Sequence, residues 1–421
     1  MRPAPQVAAE ATTTPETAPV TIPSAQTKSP PPPPQRSWLS RLQDVATRRR
    51  TQPRQDRDPA LAARDAERLA TYPTPYPSGW YLVAGSDEVG PKTVKNVAAL
   101  GEQIVLFRDH TGHARAVSAV CPHLGANLGD GKVRDGCLEC PFHGWRFAGD
   151  GAVAAIPYQP KLPRIRARTF PIREMHGMIF LYRAHDGTET AEPPYALPTF
   201  DELDSGRLRY RGRYDGGVVG MHIADFAENA ADFAHFLPLH GRMTVPFTQI
   251  EVPLVEIVHA PTWDADLEQP HVAWFRNTIH LSALGRRLPR TDARAEIAFL
   301  GPGSVTAFRF MVPEAGDILL FHLHTPIAPL RQKVEFRWFA EDRVPWLLLQ
   351  YVVGSWVSQW AADIRIWEAK SYAARPALVG GDGPVHRMRR WYRQFHEPGF
   401  GQAGLTPTPD DKELDMSSGR V

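Results

Sequence analysis

The chain has 421 residues and a formal net charge of +2, and 43% of its residues are hydrophobic. This length allows two or three domains, since one domain takes roughly 100–200 residues, and the near-neutral charge gives no reason to expect a nucleic-acid partner. All three cysteines fall within a short stretch, which suits a metal site better than a disulfide framework and indicates a reducing compartment. We therefore expect a cytoplasmic protein with metal-dependent chemistry.

Residues 1–75 differ in composition from the rest, and we expect them to form a disordered arm rich in proline and arginine. Proline, including the run Pro30–Pro34, together with alanine, threonine and arginine dominates this stretch. It can therefore bury too little apolar surface to offset the entropy that is lost when the chain becomes ordered. Apolar residues between Trp38 and Val45 alternate with arginines at roughly helical spacing. They could form an amphipathic helix in peripheral contact with a membrane, or simply a solvated linker. The first residues contain no apolar segment typical of a secretory signal peptide.

The remaining chain predicts an α+β protein that begins with an all-β domain. Residues 76–187 contain short strand-like segments with glycine and proline between them. Residues 188–400 open with a helical pattern near Met221, continue with strand-like segments, and close with a helix that begins near Val344 and runs towards Tyr372. The apolar stretch Val344–Trp360 is too interrupted for a membrane span and predicts a buried helix. Residues 401–421 are expected to be a flexible tail.

The first informative motif combines cysteine and histidine in two short segments. Cys121 and His123 form C-x-H, and Cys140 and His143 form C-x2-H. A Rieske [2Fe-2S] cluster needs two thiolates on one iron and two imidazoles on the other, which is the set that these four residues supply. A structural zinc site is the alternative, but zinc sites of the finger type pair cysteine with cysteine and histidine with histidine. Cys137 is expected to be a buried thiol.

The second motif lies in the segment from Glu228 to His240. Non-haem iron that activates O2 is held by two histidines and one carboxylate, with open positions left over. Asp232 and His235 would share one side of a helix, and Pro238 could end or kink that helix so that His240 turns back towards them. The segment therefore predicts a second, mononuclear iron site.

These two motifs together resemble the oxygenase components of Rieske non-haem iron enzymes. Respiratory Rieske proteins resemble the first motif but carry an additional cysteine in each loop, where this chain has Ala126 and Phe142. The second motif, N-x2-D-x2-H-x4-H, resembles the oxygenase-domain signature. The resemblance implies a Rieske domain followed by a helix-grip-like catalytic domain with an antiparallel sheet and helices. A Rieske electron-transfer protein without catalysis is the alternative from another class.

The resemblance also implies roles for individual residues. The mononuclear Fe(II) ligands would be His235, His240 and Asp363, where Asp363 matches the family position in D-x2-I-W. Asp232 would carry electrons from His143 of a neighbouring subunit's Rieske centre, which implies a homotrimer, and Asn229 would stand beside the iron. The chain contains no G-x-G-x-x-G in a strand–turn–helix context, so electrons from NAD(P)H are expected to arrive through a separate reductase or ferredoxin.

Three further stretches are similar to one subgroup, the Neverland-type cholesterol 7-desaturases and the bacterial 3-ketosteroid 9α-hydroxylases. They are Pro77–Tyr81, Gly301–Val305 with Thr325–Ile327, and Asp363–Lys370 with Asp382–Phe395. The resemblance implies an O2-dependent oxidoreductase that desaturates a sterol such as cholesterol at the 7,8 bond, with hydroxylation of a 3-ketosteroid or another apolar ring as the alternative. Its substrate pocket is expected between the sheet residues 252–339 and the helix at 346–360.

A basic run near the C-terminus has two interpretations. Arg387, Arg389, Arg390 and Arg393 lie close together in the sequence. They could dock an acidic ferredoxin, because complementary charge speeds encounter. An arginine-rich helix that packs on its own domain is the alternative.

Overall fold

The structure is a computed structural model that describes residues 59–188, 192–312 and 315–397. Its first element, helix α1 (Pro59–Leu69), lies where we expected disorder, so that expectation is wrong for this part of the arm. The alanine- and arginine-rich segment favours a helix, and Arg68 is only 4% exposed because it bonds to carbonyls far along the chain. Composition could not reveal those contacts. The possible amphipathic helix of the arm and the tail 401–421 lie outside the described residues.

Ten short strands follow and form three antiparallel sheets, in the orders β1-β10-β9, β2-β3-β4 and β5-β6-β7-β8. We call them the N-terminal sheets. Most expected strands are present, although the one expected at Thr169–Arg173 lies at β9 instead. The bounds are β1 Gly79–Gly85, β2 Lys95–Ala99, β3 Glu102–Arg108, β4 Ala114–Ser118, β5 Lys132–Arg134, β6 Cys137–Glu139, β7 Arg146–Phe147, β8 Val153–Ala155, β9 Ile172–Met175 and β10 Met178–Arg183.

The second half of the described chain is built on one antiparallel sheet of nine strands, which we call the large sheet. Its strand order is β11-β19-β18-β17-β16-β14-β13-β12, and β15 pairs with β14. The bounds are β11 Arg209–Val219, β12 Arg242–Thr244, β13 Glu251–Ala265, β14 Val272–Ala283, β15 Arg286–Arg287, β16 Ala293–Leu300, β17 Val305–Val312, β18 Gly316–Ala328 and β19 Arg331–Ala340.

Four helices accompany the large sheet: α2 Asp201–Asp204, α3 Ile223–Asn229, α4 Trp346–Trp367 and α5 Val385–Tyr392. The helix expected through Asp232 and His235 is shorter than predicted, because α3 ends at Asn229. A π-helical turn at Phe236–His240 follows and contains Pro238. Helix α4 fulfils the expectation of a helix from the apolar stretch. Among the described residues, no helix has both the length and the apolar character needed to cross a bilayer.

The two faces of the large sheet bury different partners. Along β18, the even-numbered Ile318 and Leu320 join the apolar core formed with α3, α4 and α5. The odd-numbered Leu319 and Phe321 face the other way and pack with Trp80 and other residues of β1 and β10. Because side chains alternate along a strand, one strand serves both cores. The large sheet is therefore covered by helices on one face and by the N-terminal sheets on the other.

Candidate functional site

Two histidines and one aspartate meet between α4 and the π-helical turn. The potential ligand atoms of His235, His240 and Asp363 all lie within 4.8 Å of one another. His240 Nε2 is 3.2 Å from Asp363 Oδ1, and the two imidazole rings stand nearly perpendicular, with centroids 5.1 Å apart. Both His240 and Asp363 are buried, at 4% and 6% exposure. The arrangement has the composition of a two-histidine, one-carboxylate iron site.

The π-helical turn explains the spacing of the two histidines. A π-helix closes its turn with an i to i+5 hydrogen bond, whereas an α-helix uses i to i+4. His235 immediately precedes the turn at Phe236–His240, so the residue five positions later returns to the same side. The sequence suggested a helix broken at Pro238, but the structure shows a wider turn that includes this proline. Single π turns of this kind are common at functional sites.

Hydrogen bonds to backbone carbonyls hold the two histidines in place. His235 Nδ1 donates to the Asp232 carbonyl at 2.5 Å, which leaves its Nε2 lone pair free for a metal. The His240 carbonyl accepts from His259 Nε2 at 3.1 Å, and His259 Nδ1 accepts from Asn277 Nδ2 at 2.8 Å. Burial lowers the pKa of His259 to about 4, so this ring is neutral and can both donate and accept.

Asn229 and Asp232 lie beside the triad in different settings. Asn229 Nδ2 is 3.4 Å from His235 Nε2, and its Oδ1 accepts from Trp367 Nε1 at 3.3 Å, which fixes the orientation of the amide. The Asp232 side chain is 38% exposed. Burial raises the pKa of Asp232, but hydrogen bonds from His235 outweigh it and leave this pKa below the usual range. Asp232 thus forms a charged surface next to a buried metal site.

Unpaired polar atoms in the triad indicate that it can hold a metal ion. Asp363 Oδ1 and His240 Nδ1 are both buried without a hydrogen-bond partner among the residues that the structure describes. A buried carboxylate oxygen without a donor is costly, and among the described residues it faces His240 Nε2 at 3.2 Å. A cation between Asp363 Oδ1 and this Nε2 would satisfy the carboxylate oxygen. Two imidazoles and a carboxylate are suitable donors for Fe(II).

The triad opens into an apolar cavity between the large sheet and α4. Its lining is mainly apolar and aromatic, as is usual for small-molecule sites. The cavity lies where the sequence led us to expect it. Its lining residues are Phe226, Asn229, Ala230, His235, Phe236, His240, Phe275, Ile297, Phe299, Phe308, Trp356, Gln359, Trp360, Asp363 and Trp367.

The Cys–His motif forms two matching loops. Gly125 N donates to the Cys121 carbonyl at 2.9 Å, and Gly144 N donates to the Cys140 carbonyl at 3.1 Å. Both glycines have positive φ, 76° and 69°, a conformation that costs glycine least. Each loop therefore turns tightly after its cysteine. The His123 and His143 rings lie 4.7 Å apart between centroids, so both loops present their side chains to one place.

These loops fit a [2Fe-2S] cluster. Both Cys121 and Cys140 are 2% exposed and free, and burial raises the pKa of Cys121 to about 11. Such a thiol becomes a thiolate when cationic iron binds it. His143 Nδ1 is buried without a partner among the described residues, as a ligand nitrogen would be. Cys137 is free and only half-buried, which corrects the expectation of a fully buried thiol.

Sequence reasoning missed the residues that position the triad. His259 on β13 supports His240, Asn277 on β14 supports His259, and no local motif marks either residue. Trp367 belongs to D-x2-I-W, but the motif does not predict its hydrogen bond to Asn229. The basic run has intrachain partners, which agrees with the packing interpretation: Arg389 bonds to Glu228 at 2.6 Å. Arg387 lies 3.4 Å from Asp264, and Arg393 donates to Glu397.

Two family models together match most of the described chain. A Rieske [2Fe-2S] domain matches residues 79–171. The C-terminal domain of 3-ketosteroid 9alpha-hydroxylase matches residues 185–396, which is half of the whole chain. The first match contains the Cys–His loops, and the second contains the histidine–aspartate triad. The chain belongs to the Rieske oxygenases.

Individual relatives support the same family. A cholesterol 7-desaturase nvd of Xenopus laevis is 33% identical over 339 residues, which cover 77% of this Rieske oxygenase and 72% of that protein. A 3-ketosteroid-9-alpha-monooxygenase oxygenase component of Rhodococcus rhodochrous is 26% identical over 336 residues, covering 77% and 85%. Dicamba monooxygenase bound to dicamba shares the fold, with a TM-score of 0.57 and 20% identity over 76% of this chain and 96% of that one.

The family defines the enzyme class and its cofactors. This Rieske oxygenase is an O2-dependent oxidoreductase that carries a [2Fe-2S] cluster and a mononuclear non-haem iron. As an oxygenase component it receives electrons from a separate reductase or ferredoxin. The expected fold is confirmed: a Rieske domain precedes a catalytic domain built mainly on sheet. The alternative of an electron-transfer protein is wrong, because the relatives are catalytic desaturases and monooxygenases.

Proposed function

We propose that this Rieske oxygenase removes hydrogen from a ring carbon of a sterol or steroid, with 7,8-desaturation of a cholesterol-like sterol as its reaction. The proposal rests on one observation, the apolar cavity that the histidine–aspartate triad helps to line. Aromatic residues such as Phe226, Phe308 and Trp360 make up much of the lining, which suits a large apolar ring system. The relatives named for cholesterol and for a 3-ketosteroid act on molecules of this type.

We assign His235, His240 and Asp363 as the ligands of the mononuclear iron, and Cys121, His123, Cys140 and His143 as those of the cluster. When bound, the mononuclear iron supplies activation of O2 for attack on an unactivated C–H bond. The protein's own residues orient the groups around the iron site and exclude water from it. The Asp232 carbonyl fixes the tautomer of His235, Trp367 fixes the Asn229 amide, and the apolar lining keeps the site dry.

Asp232 is proposed to connect the two metal sites across a subunit boundary. Its side chain is 38% exposed while it remains in contact with His235, so it can face another molecule and the iron site together. The partner would be His143 of a neighbouring copy in a homotrimer, with NAD(P)H as the source of electrons through the reductase. We further propose residues 76–187 and 188–400 as the domain limits, and the cytoplasm, where the free cysteines stay reduced, as the location.

Hydroxylation of a 3-ketosteroid is the second candidate, because the family model that matches residues 185–396 is named for that reaction. Both reactions use one O2, two electrons and two protons. Desaturation removes two hydrogens and yields two waters, whereas hydroxylation inserts one oxygen atom and yields one water. Substrate placement relative to the iron decides between them, and a displacement of about 1 Å can change the outcome strongly.

The test is incubation of the iron-loaded enzyme with a reductase system, O2 and either cholesterol or a 3-ketosteroid, followed by mass spectrometry. We expect a product from cholesterol that is lighter by two hydrogens. A ketosteroid product heavier by one oxygen, with cholesterol unchanged, would reject the desaturase in favour of the second candidate. No conversion of either compound, with both metal centres loaded, would reject a steroid substrate.

A further inference from the structure

Two histidines on β18 form a buried pair that no step proposed above uses. His322 and His324 are both 0% exposed, and their Nε2 atoms lie 2.9 Å apart. As even-numbered residues they share the face of the large sheet that packs against α3 and α4. The His322 ring stacks on Phe336, and the His324 ring stacks on Phe226. The pair is thus a polar group buried among aromatic side chains.

The hydrogen-bond capacity of the pair is only half used. Burial lowers the pKa of His324 to about 3 and that of His322 well below its usual range, so both rings are neutral. One Nε2 must then carry a hydrogen, and the other must accept it. The donating ring keeps a bare Nδ1, and the accepting ring carries its hydrogen on Nδ1. Neither Nδ1 has a hydrogen-bond partner among the described residues.

Two hydroxyl groups beside the pair are also unsatisfied. Thr306 lies opposite His322 in the β17–β18 register, and the Ser304 carbonyl accepts from His324 N at 3.0 Å. Both hydroxyls are buried without partners in the described part of the chain. An unpaired buried polar group is costly, and such groups are nearly always paired in native proteins. Their clustering indicates a polar partner from outside the chain.

The pair stands directly behind the wall of the substrate cavity. The His322 ring centroid is 4.6 Å from that of Phe226, 5.9 Å from Trp360 and 6.2 Å from Trp356. All three of these rings line the cavity. A single layer of aromatic side chains therefore separates His322 from the cavity. Contact between His322 Nδ1 and a ligand in the cavity would require one of these aromatic rings to move aside.

We propose that the His322–His324 pair recognises the oxygen atom on the first ring of a steroid substrate, through a hydrogen bond at His322 Nδ1. This inference rests on the proposed function and adds a residue that determines specificity. The pair has two neutral arrangements, one with His322 Nδ1 as an acceptor and one with it as an N–H donor. The first suits a hydroxyl group, and the second suits a hydroxyl or a ketone. One site could therefore bind the alcohol or the ketone form of a steroid.

The test compares a steroid with its counterpart that lacks the oxygen at position 3, such as cholesterol with cholest-5-ene. We expect the wild-type enzyme to convert the oxygenated steroid with a kcat/KM about tenfold or more above that of the deoxy counterpart. The deoxy compound leaves the buried histidine without a hydrogen-bond partner, which weakens its binding. The variant H322F/H324F removes both rings together, so neither is left unpaired. It should lose this preference while it keeps its Rieske EPR signal and its circular dichroism.

H271F is the matched control. His271 also has a buried, unpaired Nε2 within the described residues, but its ring stacks at 4.2 Å on Tyr195, which does not line the cavity. H271F should keep the wild-type preference. Equal conversion of the two compounds by the wild type, which requires no folded variant, would overturn the inference and leave steroid oxidation intact. A preference that persists in H322F/H324F would overturn it too.

A binding measurement distinguishes failure of the proposed function from failure of this inference. If no steroid is converted, binding of the same two probes can be measured through quenching of tryptophan fluorescence, because Trp356 and Trp360 line the cavity. Tighter binding of the oxygenated probe in the wild type, and none of this preference in H322F/H324F, supports the inference without turnover. Equal affinities in the wild type reject it.

Discussion

Arg68 of the N-terminal helix donates a hydrogen bond of 2.7 Å to the carbonyl of Trp367, the last residue of the helix that carries Asp363. The same guanidinium donates to the Lys370 carbonyl at 2.8 Å and lies against the Gly220 carbonyl just before α3. The last carbonyls of a helix lack partners within the helix, and a cation beside them interacts favourably with the negative end of the helix dipole. One side chain thus connects the elements that lead to the proposed iron ligands.

We expect R68Q to destabilise the catalytic domain by about 3 kcal/mol, because hydrogen bonds from a charged donor contribute about 1.5–3 kcal/mol each. Denaturation with urea would measure this loss, and metal analysis should show weaker retention of the mononuclear iron. R64Q is the control. Arg64 makes an exposed hydrogen bond to the Glu368 carbonyl at 2.7 Å, and its replacement should cost no more than about 0.5 kcal/mol. Equal effects of the two variants would contradict the role of Arg68.

The second prediction concerns the cluster loops. H123A and C140A should each abolish the Rieske EPR signal of the reduced enzyme, since each removes a proposed ligand. C137A should keep the signal, because Cys137 lies in β6 outside the two loops. Iron and sulfide analysis on the same samples would show whether the cluster is lost. A normal signal in either ligand variant would remove that residue from the cluster.

The sequence predicted chemistry better than geometry. The Cys–His pairs and the N-x2-D-x2-H-x4-H run led us to both proposed metal sites, because ligand types and spacings are local features. The turn geometry was not predictable in this way, since Pro238 suggested a broken helix where the structure has a π turn. His259 and Asn277 reach the site through long-range pairing of strands. Helix α1 was missed for the same reason, because its buried contacts lie far away in the sequence.

The third prediction tests the carboxylate ligand. D363A should lower the iron content from about three to about two per chain, with the cluster signal unchanged, because two histidines alone hold Fe(II) weakly. Its turnover should fall below detection. R365A is the control on the same helix: Arg365 is exposed, and its replacement should keep all the iron. Full iron content in D363A would mean that another group completes the site.

The fourth prediction separates electron transfer from metal binding. D232A should keep both metal centres yet stop turnover, because it removes the proposed connection to the neighbouring subunit's cluster. Iron analysis, EPR and a turnover assay on one preparation would decide it. D264A, which replaces an exposed aspartate on β13, should retain activity. Full activity of D232A, or a monomer that turns over at the wild-type rate, would contradict the bridging role.

The last prediction concerns acid stability. The pKa of His324 in the folded protein is about 3, against an ordinary value of 6.5, and that of His322 is also far below 6.5 because of burial. Below pH 6.5 the unfolded chain binds protons at these residues that the native state does not, so native stability falls as the pH falls through 6.5. Above 6.5 both states are neutral there, and the penalty vanishes.

At pH 5 His324 should cost about 2 kcal/mol, since one pH unit below the unfolded pKa corresponds to about 1.4 kcal/mol. The lowered pKa of His322 adds to this cost. Urea denaturation at pH 7 and at pH 5 should therefore show a smaller loss of stability for H322F/H324F than for the wild type, by about 2 kcal/mol or more. H110F replaces an exposed histidine and should follow the wild type. Both proteins share the same metal ligands, so acid release of iron cancels in the comparison. Parallel losses in the double variant and the wild type would show that the pair is already protonated at pH 5.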